Sequence, residues 1–127
     1  MKIEHVAVWT ADLERLKAFY ETYFGAVAGE KYANPEKGFE SYFLGFSSGA
    51  RLELMRVPGS TGPGAEERRA GLAHLAFCAG LETAVNELTE KLRKAGYTVV
   101  SEPRRTGDGY YESCVLDPDG NRVEITA

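Results

Sequence analysis

The chain is written twice. Gly25 and Gly96, Gly49 and Gly120, and Glu53 and Glu124 are each separated by 71 residues, and His5 and His74, the only two histidines, by 69. A fixed offset of this kind marks a duplicated supersecondary unit, and the shorter histidine spacing places a two-residue insertion between His74 and Gly96. With 127 residues to divide, the options are one domain or two half-size modules sharing a core.

Each copy opens on a short apolar run with a histidine inside it, Ile3-Glu4-His5-Val6-Ala7-Val8 and Leu72-Ala73-His74-Leu75-Ala76-Phe77. A helical period follows: Leu13, Leu16, Phe19, Tyr20, Tyr23 and Phe24 in the first copy, Leu81, Val85, Leu88, Leu92 and Ala95 in the second. Gly25 and Gly96 stand just past these periods, where a left-handed cap costs glycine least, and Asp12 suits the first N-cap. Strand-like runs then lead through Phe46-Ser47-Ser48-Gly49-Ala50 into Arg51–Met55, and through Asp117-Pro118-Asp119-Gly120-Asn121 into Arg122–Thr126. The expected class is α+β, two βαβββ modules over residues 1–57 and 70–127, joined by a glycine- and proline-rich loop at 58–69. Residues 29–38, with Asn34-Pro35, are expected to form a second loop.

Composition narrows the partners. Fifteen basic against nineteen acidic residues give a net charge of −4, and no basic run exceeds two residues, which argues against nucleic acid. No apolar stretch approaches the roughly 18 residues of a membrane span and the start lacks a signal-peptide pattern, so a cytoplasmic protein is expected. Cys78 and Cys114 sit in apolar runs without C-x-x-C spacing and are expected to be buried thiols.

Side chains alternate across a strand, so parity assigns faces. Val6 and Val8 oppose His5, Leu52 and Leu54 oppose Glu53, Leu75 and Phe77 oppose His74, and Val123 and Ile125 oppose Glu124. The aliphatic faces suit the helices, which leaves both histidines and both glutamates on the other face. Singly, each would be an ordinary polar residue on a solvated sheet. As four repeat-equivalent positions that use every histidine of the chain, they form a candidate first shell for a divalent transition metal, with Zn, Ni, Co, Mn and Fe all suited to imidazole and carboxylate. By the same parity Arg51 and Arg122 accompany the glutamates and are candidates for binding an anionic substrate, while Tyr110, Tyr111, Tyr42 and Phe43 are candidate lining residues.

These halves, the E-H-V-A-V opening and the D-P-D-G-N-x-x-E stretch from Asp117 to Glu124 resemble the vicinal oxygen chelate superfamily, which includes glyoxalase I, bleomycin-resistance proteins and dioxygenases. The resemblance implies paired βαβββ modules in a cup-shaped mixed sheet holding a metal or ligand. The set His5, Glu53, His74 and Glu124 is similar to the glyoxalase I pattern; extradiol dioxygenases resemble it without the Glu53 carboxylate, epimerases usually have Gln there, and metal-free bleomycin binders lack the set. In bacterial glyoxalase I an arginine for glutathione stands four residues after the first histidine, where this chain has Trp9, itself then a candidate substrate contact.

The expected function is therefore a metal-dependent isomerase or lyase of glyoxalase I type, converting a small α-hydroxy or α-keto carbonyl compound or its thiol adduct through an enediolate. A dioxygenase or epimerase on the same scaffold, or a non-catalytic drug-binding protein, are the alternatives. Two carboxylates compete for the role of base, with the resemblance favouring Glu124 over Glu53. A homodimer is expected from the open sheet edges and the aromatic-rich first helix, as the resemblance also implies.

Overall fold

Two runs of five and four strands, each interrupted by one helix, make up the computed structural model, which describes residues 3–59, 72–107 and 109–127. The first holds β1 (His5–Trp9), α1 (Leu13–Phe24), β2 (Val27–Ala28), β3 (Tyr32–Asn34), β4 (Phe39–Gly45) and β5 (Arg51–Arg56). The second holds β6 (Leu75–Cys78), α2 (Glu82–Lys94), β7 (Val99–Arg105), β8 (Tyr111–Leu116) and β9 (Arg122–Thr126). The chain divides into two compact units, Met1–Gly62 and Pro63–Ala127. Most of the connecting loop expected at 58–69 lies outside the described residues.

Both units follow one plan, the mixed α+β module expected from the repeat. In the first sheet the strand order is β1-β5-β4-β2, with β3 also paired to β4; in the second it is β6-β9-β8-β7. The opening strand runs parallel to the closing one, β1 beside β5 and β6 beside β9, and the remaining pairs are antiparallel. The 71-residue offset persists in the backbone. Gly25, Gly38 and Gly49 have φ of 65°, 62° and 88°, and Gly96, Gly109 and Gly120 have 91°, 98° and 82°.

Local chemistry sets the helix ends. Asp12 is extended and accepts a hydrogen bond from the Arg15 N–H at 3.0 Å, and Gly25 caps α1 in the left-handed conformation. No side chain caps the start of α2, whose last turn carries Lys91, Arg93 and Lys94 against the negative end of the helix dipole. In the first unit Leu13, Leu16, Phe19 and Tyr20 of α1 are buried with Leu44, Leu52 and Leu54 of the sheet. In the second, Val85, Thr89 and Leu92 are buried with Val115, Val123 and Ile125.

The elements and the helix packing differ from the sequence expectation in four places. Residues 29–38 are not all loop, because Tyr32–Asn34 pairs with Ser41–Phe39 of β4. The strand expected from Leu72 begins only at Leu75. In α2 the buried stripe runs through Thr89 rather than Leu88, and Leu81 is exposed. The Thr89 hydroxyl bonds the Val85 carbonyl at 2.6 Å and Ser113 Oγ at 2.6 Å, so it enters the core already satisfied, which a hydropathy pattern cannot register. The aromatic residues of α1 turn inward: Phe19 and Tyr20 are buried against each other with centroids 5.1 Å apart, and Tyr23 and Phe24 are half-buried. The apolar surplus on this helix that argued for a dimer is therefore absent.

Thr89→Val should cost about 1–3 kcal/mol, because it leaves the buried Ser113 hydroxyl without this partner. Urea denaturation measures it, and an unchanged midpoint would mean that this bond does not help hold α2 to its sheet.

Candidate metal centre

The parallel pairing of first and last strands brings each histidine to its glutamate. Register His5↔Arg51, Ala7↔Glu53 and Trp9↔Met55 puts these six residues on one face, while Val6↔Leu52 and Val8↔Leu54 occupy the α1 side. In the second unit Ala76 pairs with Glu124, and His74, just before β6, stands two residues ahead of Ala76 as His5 does of Ala7. His5 Nε2 lies 3.8 Å from Glu53 Oε2, and His74 Nε2 lies 3.1 Å from Glu124 Oε2. The two pairs are also alike in exposure, with side chains 40% and 42% accessible for the histidines and 15% and 22% for the glutamates. A half-exposed imidazole over a mostly covered carboxylate is thus built twice.

The first pair carries extra support that sequence reasoning missed. Glu4 Oε2 is 2.5 Å from His5 Nδ1, and its other oxygen accepts from Arg51 Nε at 2.9 Å. Arg51 in turn lies over the Phe43 ring at 4.2 Å, and Phe43 meets the His5 ring edge-on at 5.3 Å. The hydrogen bonds from His5 and then Arg51 hold the Glu4 carboxyl below its ordinary range. A carboxylate at Nδ1 orients the ring so that Nε2 faces Glu53. The signal in the sequence was the adjacent Glu4-His5 pair; parity concealed it, because Glu4 precedes β1 and is not bound by its alternation. Arg51, expected as a substrate contact, is engaged by Glu4.

In the second unit Cys114 pairs with Glu124 across β8 and β9, and Arg122 pairs with Leu116. Burial pushes the Glu124 carboxyl above its ordinary value, opposed by His74 and reinforced by Glu112. Burial likewise raises the Cys114 thiol, with Arg122 pulling the other way. Of the aromatic residues expected to line this face, Phe43 does so in the first unit. Tyr42 has the opposite parity and donates to Glu14 of α1 at 3.0 Å, and Tyr111 donates to Asn86 of α2 at 2.8 Å. Tyr110 is exposed in the β7–β8 connection, and Trp9 is exposed at the end of β1.

Each histidine–glutamate pair has the spacing of two donors to one ion. Around an ion with bonds of about 2.1 Å, neighbouring donors stand about 3 Å apart and opposite ones about 4 Å, a range that includes both histidine–glutamate distances. Within either unit the pair stands by itself; among the described residues there is no group of three or more His, Cys, Asp or Glu side chains placed to hold an ion.

Comparison with known proteins gives the lineage. The family model described as Glyoxalase/Bleomycin resistance protein/Dioxygenase superfamily matches residues 2–125. The chain belongs to this superfamily. Among its relatives, the uncharacterized protein YwkD of Bacillus subtilis is 32% identical, with 97% of this chain and 94% of the relative covered. The mitochondrial methylmalonyl-CoA epimerase of Bos taurus is 33% identical over 71% of this chain and 54% of its own length. Among solved structures, glyoxalase I of Zea mays superposes with a TM-score of 0.81 at 24% identity, covering 98% of this chain and 44% of the maize chain. The trypanothione-dependent glyoxalase I of Leishmania major gives 0.75 at 27%, covering 99% and 86%. Among the described residues no helix is long and apolar enough to cross a membrane.

Cys114 is buried as expected, but Cys78, at the end of β6 and also expected to be buried, is exposed, so the two thiols should separate chemically. Iodoacetamide should modify Cys78 in the native protein and Cys114 only after unfolding, read by mass spectrometry, since the nucleophile that displaces iodide is the thiolate. Comparable native rates would contradict the burial of Cys114.

Proposed function

We propose that this protein is a metal-dependent isomerase or lyase of the glyoxalase I type, acting on a small α-hydroxy or α-keto carbonyl compound or its thiol adduct. The observation that carries this reading is the His Nε2 and Glu Oε pair built at equivalent places in both units. His5, Glu53, His74 and Glu124 would hold one divalent transition metal, with Trp9, Arg51, Tyr110 and Arg122 as contacts for substrate. A metal bound there would supply Lewis acidity toward negative charge on substrate oxygen. The chain supplies the proton transfer: a glutamate takes the proton from the carbon beside the carbonyl and returns it to the neighbouring carbon. Glu124 is assigned this role, and Glu53 is its nearly symmetric rival.

A second reading is favoured by the 33% identity to methylmalonyl-CoA epimerase. Epimerisation beside a carbonyl needs the same proton abstraction, with return of the proton to the same carbon, so the two readings share a first step and diverge in where the proton goes. A homodimer in the cytoplasm belongs to the proposal as well.

Reconstitution with Zn, Ni, Co or Mn should give one bound ion per chain, and His74→Ala should weaken binding strongly while leaving far-UV circular dichroism unchanged. Glu4→Gln should weaken it by about 10–100-fold, the usual effect of removing a carboxylate behind a ligating imidazole. No bound metal under any of these conditions would refute the reading. Glu124→Gln should abolish solvent deuterium incorporation into any substrate turned over; if Glu53→Gln does so and Glu124→Gln does not, the two roles are exchanged. Light scattering at micromolar concentration should give the mass of a dimer, and a monomer would refute that part.

A further inference from the structure

The histidine–glutamate pairs of the two units are alike in plan and unequal in support. His5 and His74 are equally exposed, and each meets its glutamate through Nε2. Behind Nδ1 they differ. The residue before His5 is Glu4, whose Oε2 lies 2.5 Å from His5 Nδ1, whereas the residue before His74 is Ala73, which has no side-chain polar atom to offer. The neighbour across the sheet differs as well. Phe43, paired with Glu53, packs edge-on against the His5 ring at 5.3 Å, and the residue 71 places on, paired with Glu124, is Cys114. Arg51 completes the first arrangement: it donates to the other Glu4 oxygen at 2.9 Å and lies over the Phe43 ring at 4.2 Å. Glu4, Phe43 and Glu53 thus surround the His5 imidazole, while among the described residues His74 has Glu124 as its one polar partner.

We propose that Glu4 makes the two pairs unequal toward a shared ion, so that His5 and Glu53 anchor it and His74 and Glu124 hold it less firmly. The inference rests on the metal-dependent reading and adds Glu4 to it as a positioning residue that acts through His5. A ring already held in place loses little freedom when it ligates, and a carboxylate behind a ligating imidazole is worth about 10–100-fold in metal affinity. Arg51 serves the same end, because it keeps the Glu4 carboxylate folded back onto the ring. Burial is not the source of the inequality, since the two imidazoles are equally accessible.

Zinc affinity, read by competition with a chromophoric chelator, tests this on the whole chain. His5→Ala should cost at least about tenfold more affinity than His74→Ala. Glu4→Gln should keep its 10–100-fold cost in His74→Ala protein and fall to about twofold or less in His5→Ala protein, where Glu4 has no ring to hold. A bare attraction between the Glu4 charge and the cation would instead survive the loss of His5. Ala73→Glu, at an exposed position with Arg122 standing 71 residues on from Arg51, should tighten zinc binding about tenfold. In the metal-free chain Glu4→Gln should move the imidazole nitrogen resonances of His5 and leave those of His74 in place. Equal losses from the two alanine substitutions, or a cost of Glu4→Gln that persists without His5, would overturn the proposal and leave the metal reading standing. A chain that binds no Zn, Ni, Co or Mn would overturn both.

Discussion

The parallel contact between the first and last strands of each unit is what the rest depends on. A parallel neighbour cannot be reached by a tight turn, so each module must send its chain over a helix and back through antiparallel strands before closing on its opening strand. That closure sets Ala7 against Glu53 and Ala76 against Glu124, and the residue two places earlier in each opening strand or its approach is the histidine. The helix covers the aliphatic face, and the polar face is left to chemistry. A one-residue slip would turn each glutamate into the helix packing, where an unpaired carboxylate is costly, so the same burial that stabilises the module enforces the pairing.

The two polar faces have diverged around this common frame. In the first unit the glutamate is flanked by rings, Phe43 in its own row and Trp9, Phe39 and Tyr32 beyond it. In the second the corresponding surroundings are Cys114, Glu112 and Arg122, and a cross-strand partner, Arg104, faces Glu112. One face offers apolar contact and the other charge.

Much of the module was legible in the sequence because the signals were physical and repeated. Gly25, Asp12 and the alternation about His5 and Glu53 each name a conformation with few substitutes, and the superfamily resemblance joined them into a fold. What stayed hidden lay where side chains answer to tertiary partners. Thr89 enters the core because the Val85 carbonyl and Ser113 satisfy its hydroxyl. Glu4 curls onto His5 because it precedes the strand. Tyr32–Asn34 becomes strand because β4 extends far enough to pair with it, although its own composition suggests a turn. For the candidate site, parity and repeat put both histidines and both glutamates on the polar face; the pairing of each histidine with its glutamate needed the parallel register, and the Arg51–Glu4–His5 relay was hidden because parity assigns faces and says nothing of how long side chains fold back.

The left-handed glycines that recur 71 residues apart preserve something the side chains have lost. A residue with a Cβ pays roughly 1–2 kcal/mol at such a position, so a side chain is disfavoured at each of them. Each unit is in this sense a backbone template for the other. Chains made by doubling the first unit or doubling the second would meet the same left-handed turns, one displaying rings about its glutamates and the other charges.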